Sequence, residues 1–85
     1  MNFDALMLRY FGTAEFDKVN TAALTAGTER MLVDLGLERD PGKRFALWSL
    51  LHLLGSAPDL HVCFKDPGER DAARNFMDLM AAQGR

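Results

Sequence analysis

Cysteine is almost missing from this chain: Cys63 stands alone, so no internal disulfide can form. A lone thiol fits a reducing compartment. Histidine is nearly as scarce, with two in the chain, so metal ligands are sparse as well. A chain of 85 residues buries little more than about 60% of the surface its unfolded form exposes, and such chains usually lean on disulfides, a metal or a partner. With the first two thin, good helix packing or oligomerisation is left. An excess of charge is missing too. The net charge of −2 is not that of a protein that wraps a polyanion. No long apolar run occurs either; Phe45 to Leu54, broken by Ser49 and His52, is about half what a membrane span needs. Met1-Asn2-Phe3-Asp4 has no basic segment leading into an apolar core, so no signal peptide is expected. With 48% apolar and 26% charged residues, the expectation is one folded, soluble, cytoplasmic domain over residues 1–85.

What the chain does contain is a repeated helix start. Asp40-Pro41-Gly42-Lys43-Arg44 and Asp66-Pro67-Gly68-Glu69-Arg70 each lead into a helix-forming run. An Asp side chain accepts hydrogen bonds from the first free helical N–H groups, and proline suits the next position because its φ is already set. Asp40 and Asp66 are therefore read as caps, with Glu69 completing an acidic capping box and the arginines exposed. The likeness ends after five positions, so two independent uses of one good start explain it better than duplication.

Helical periodicity covers most of the rest. Phe3, Leu6, Met7, Tyr10 and Phe11 follow the spacing of one helical face, with Asn2 as cap and Gly12 as stop. A turn or loop follows, with Phe16 and Val19 pointing inward. The second helix is expected from Thr21 to Leu35, ended by Gly36, with Leu24, Thr28, Met31 and Leu35 inward and Gly27 a cost of about 1 kcal/mol. The third, residues 41–54, is apolar almost all round and is therefore placed at the centre or shared with a second subunit. From Ser56 to Lys65 a helical turn capped by Ser56 is expected. An extended connector then follows, because Leu60, Val62 and Phe64 alternate with polar neighbours. The last helix, about 67–82, turns Ala73, Phe76, Met77 and Met80 inward and Arg70, Arg74 and Asp78 outward, with Arg74 paired to Asp78.

The expectation is an all-α bundle of four main helices, about 3–11, 21–35, 41–54 and 67–82, with an irregular connector at 56–65. Catalysis has the weakest case: no phosphate-cradling glycine loop and no nucleophile in a recognisable setting occur, so no enzyme and no cofactor are expected. His52, Asp59, His61 and Cys63 could ligate a metal, but their spacing matches no recurrent pattern. Residues 21–54 resemble a helix-turn-helix only in outline. Arg39, Lys43 and Arg44 would have to meet nucleic acid from a helix that lacks a polar face. The strongest lead is a set rich in aromatics and methionine: Phe3, Met7, Tyr10, Phe11, Phe16, Met77 and Met80. Such residues favour interface cores. A small protein-interaction module that self-associates, most simply as a dimer, is the leading reading.

Overall fold

A computed structural model describes residues 2–83. Five α-helices and one short 3₁₀ turn follow in order: α1 (Phe3–Phe11), the turn Phe16–Lys18, α2 (Thr21–Leu37), α3 (Pro41–Leu53), α4 (Leu60–Cys63) and α5 (Pro67–Gln83). The all-α architecture read from periodicity is the one observed.

Local chemistry explains most of the boundaries. Asn2 accepts from the Ala5 N–H at 3.1 Å and Asn20 from Ala23 at 2.8 Å, so both helices start on a side-chain cap. Gly12 (φ +76°) and Gly55 (φ +80°) take the left-handed conformation that closes α1 and α3. After α3, Ser56 donates back to the Leu51 carbonyl at 2.9 Å, the bond that seals such a C-terminus. Gly36 is not a stop: α2 runs through it to Leu37 and ends where Glu38 turns extended. The Glu38 carboxylate then accepts from the N–H groups of Arg39 and Asp40, at 3.1 and 3.3 Å, and bends the chain into the next cap.

The connector differs from its expected form. Asp59, not Ser56, starts the turn, accepting from the His61 N–H at 2.8 Å, and residues 60–63 are helical rather than extended. Leu60, Cys63 and Phe64 face inward and Val62 outward at 69% exposure, so a helical period overrides the alternation. The Trp48 indole N–H donates to the Pro58 carbonyl at 2.9 Å and ties this segment to α3.

The buried residues form one core cluster, with two regions that differ in composition. One combines Met7, Tyr10, Met31, Leu35 and Leu47 between α1, α2 and α3. The other is aromatic. Trp48 meets Phe64 edge-on at 5.6 Å, and Phe45 meets Phe76 at 6.1 Å, linking α3, α4 and α5. As expected, α3 is the central element, with Leu47 to Leu51 all buried. Buried Ser49 Oγ and Arg44 Nε lack a hydrogen-bond partner among the described residues.

Candidate functional site

The residues expected to form a contact surface separate into three groups by burial. Met7 and Tyr10 are core residues at 6% exposure and reach the surface only at the floor of grooves. Phe3, Phe11 and Met77 are half-buried against the core. Phe16, expected to point inward, is instead 54% exposed. It lines an apolar groove of 260 Å³ with Met7, Ala14, Leu50, Leu53 and Leu54. Leu53 also borders a second groove, with His52, Met77, Asp78, Met80 and Ala81. The end of α3 is thus an apolar strip between the 3₁₀ turn and the end of α5.

Tyr10 organises the opposite side. Its hydroxyl donates to Asp34 Oδ2 at 2.5 Å, joining α1 to α2. Burial pushes the phenol pKa up to about 12, the Asp34 hydrogen bond and charge push the same way, and Arg9 and Arg30 pull back. Both guanidinium groups lie over the ring, at 5.3 and 5.8 Å from its centroid. Beside this pair opens a cleft of 410 Å³ with Leu6, Leu37, Ala46 and Leu47 as its apolar walls and Arg9, Lys43, Asp34 and Glu38 at its polar edge. Its carboxylates already accept hydrogen bonds, Asp34 from Tyr10 and Glu38 from two backbone N–H groups. A phenol held protonated in this way is a hydrogen-bond donor and not a base.

The candidate metal ligands do not converge. His52 stacks on Trp48 with centroids 5.4 Å apart, and the His61 ring lies 3.3 Å from Arg74 Nη2. Cys63 is buried, and burial raises its thiol pKa, with Arg44 lowering and Asp59 raising it further. No group of three His, Cys, Asp or Glu side chains forms a potential metal site among the described residues.

Of the nucleic-acid candidates, Arg39 and Lys43 are exposed. Arg44 turns inward, donating to the Cys63 and Glu38 carbonyls. Arg70, expected outward, likewise donates to the Phe64 carbonyl at 2.7 Å. The two arginines of the repeated start therefore do the same thing, each reaching back six residues to the carbonyl two places before its own cap. The caps are as expected: Asp40 accepts from Lys43 at 2.9 Å and Asp66 from Glu69 at 3.1 Å. Glu69 supplies its backbone N–H, without a return bond from its carboxylate to Asp66. Arg74 pairs with Asp71 at 3.3 Å rather than with Asp78.

Sequence reasoning missed the outward face of α2. This helix buries Gly27, Met31 and Leu35, yet Val33 and Leu37 are 61% and 75% exposed. Ala22 and Ala26 are exposed on the same side, and Ala26, Glu29, Arg30, Val33 and Asp34 share a shallow groove. The signal was present as a second apolar period, Ala22-Ala26-Val33-Leu37, offset by about half a turn from the buried one. Compared with models of known protein families, with curated proteins and with solved structures, the chain finds no match in any of the three.

Proposed function

We propose that the protein is a small helical protein-interaction module that associates with a second copy of itself. The observation that carries this reading is α2, a long helix with apolar residues on two opposite faces, one in the core and one bare. A helix apolar on both sides is stable in water when both are covered. Among the described residues α1 and α3 pack on α2, and Val33 and Leu37 stay exposed beside them. The exposed Leu53 and Phe16 add a second apolar strip, which suits a protein that meets others. A reducing, cytoplasmic setting accords with the single buried thiol. No helix among the described residues is long and apolar enough to cross a membrane.

Light scattering coupled to size exclusion, run from micromolar to near-millimolar protein, tests the reading. A mass that rises from one chain toward two with concentration is expected. A strict monomer throughout would discard it.

A further inference from the structure

Resting on the self-association just proposed, we infer that two copies pair through α2 in parallel about a twofold axis, with Glu29 of each chain against Arg30 of the other. The argument starts from helical geometry. Successive residues of an α-helix are about 100° apart around its axis. Ala22, Ala26, Val33 and Leu37 therefore form one stripe, and Glu29 and Arg30 stand about 50° to either side of its midline. They occupy opposite edges of the bare face, one acid and one base, at nearly the same height.

Neither charge is held in an ion pair among the described residues. The ion pairs among the described residues are Lys18–Glu15 and Arg74–Asp71. Glu29 is exposed and makes no side-chain hydrogen bond among the described residues. Arg30 is exposed, with its guanidinium over the Tyr10 ring. Both border the groove formed with Ala26 and Val33.

Orientation follows from symmetry. When identical helices pair in parallel about a twofold axis, each edge of one meets the other edge of its copy. Glu29 then meets Arg30 of the partner subunit, and the same pair recurs on the far edge. When they pair antiparallel, like edges meet, setting Glu29 against Glu29 of the partner subunit and Arg30 against Arg30 of the partner subunit. The charge pattern is complementary to itself in the parallel arrangement alone. Ala22 and Ala26 allow close approach at the first half of the helix, while Val33 and Leu37 fill the wider second half. An interface of one helix face is at the small end of specific contacts, so a dissociation constant of about 1–100 μM is expected.

Charge reversal tests this directly. E29R leaves only arginines at the two edges and R30E leaves only glutamates. Each alone should weaken dimerisation at least about tenfold, with helical circular dichroism unchanged. Mixing the two variants should restore a dimer containing one of each, and the double variant E29R/R30E should dimerise like the parent. A V33C/C63S chain should cross-link to itself through a short bis-maleimide. Dimers indifferent to both reversals, or no cross-link at Val33→Cys, would overturn this interface while leaving self-association standing. A parent chain that is monomeric at every concentration would remove both.

Discussion

Gly27 governs how closely α1 and α2 cross. A Cβ at this position would lie 2.8 Å from the Tyr10 carbonyl oxygen and against the Phe11 ring, closer than real contacts allow. Alanine normally improves a helix by about 1 kcal/mol over glycine. Here the backbone oxygen cannot yield, and overpacking costs about 1–3 kcal/mol. Gly27→Ala is therefore expected to lower the urea midpoint; an unchanged or higher midpoint would refute the close crossing. From sequence Gly27 reads only as a cost, because the residue that needs its missing side chain lies on another helix. Tyr10 gives a second expectation at this scale. Its folded pKa, about 12, lies above the ordinary value of 10.0, because burial and Asp34 disfavour the phenolate. Its contribution to stability is thus intact below pH 10 and lost as pH rises toward about 12. Denaturation across that window should show a steeper loss for the parent than for Tyr10→Phe. Parallel curves would contradict the assignment.

Among the elements, the repeated start Asp-Pro-Gly-x-Arg is the best-resolved unit, and each of its positions has a reason. Aspartate caps and proline opens the first turn. Glycine leaves room for the carboxylate, since a Cβ at Gly68 would stand 3.0 Å from Asp66 Oδ2 and one at Gly42 3.3 Å from Asp40 Oδ2. Arginine holds the incoming chain by its carbonyl. Losing a charge-assisted bond to a half-buried carbonyl costs about 1.5–3 kcal/mol, whereas an exposed pair is worth about 0–1. On α5, then, Arg70→Ala should destabilise clearly more than Arg74→Ala in chemical denaturation; equal effects would count against the reach-back bond. Caps were legible because an N-cap depends on adjacent residues. The arginine bonds were not, because they depend on the path taken before the cap. In residues 60–64, two periods compete within five positions. Leu60-Val62-Phe64 suits a strand and Leu60-Cys63-Phe64 a helical turn, and tertiary burial of Cys63 decides between them.

For the molecule as a whole, extents of 36 × 34 × 19 Å describe a slab about two helices thick. Within it α3 packs on α1, α2 and α5, whereas α2 packs on α1 and α3 and leaves Val33 and Leu37 bare. The all-α class and four long helices were readable from the spacing of apolar residues. The contact surface was readable in part. Phe16 is exposed, whereas Met7 and Tyr10 belong to the core and the α2 stripe reads from sequence as a poorly amphipathic helix. If association is linked to folding, the melting temperature should rise with protein concentration. Val33→Glu should abolish that rise while leaving the melting temperature of the dilute protein within a few degrees. A concentration-independent parent would argue against the linkage. The paired arginine bonds carry one more consequence, concerning the order in which the chain folds. Each closes a loop of six residues, against the 24 that separate Tyr10 from Asp34. Short loops sacrifice little chain entropy on closing. Closing the two corners is therefore expected to cost less chain entropy than joining α1 to α2 through Tyr10 and Asp34, so both corners are expected to form early in folding.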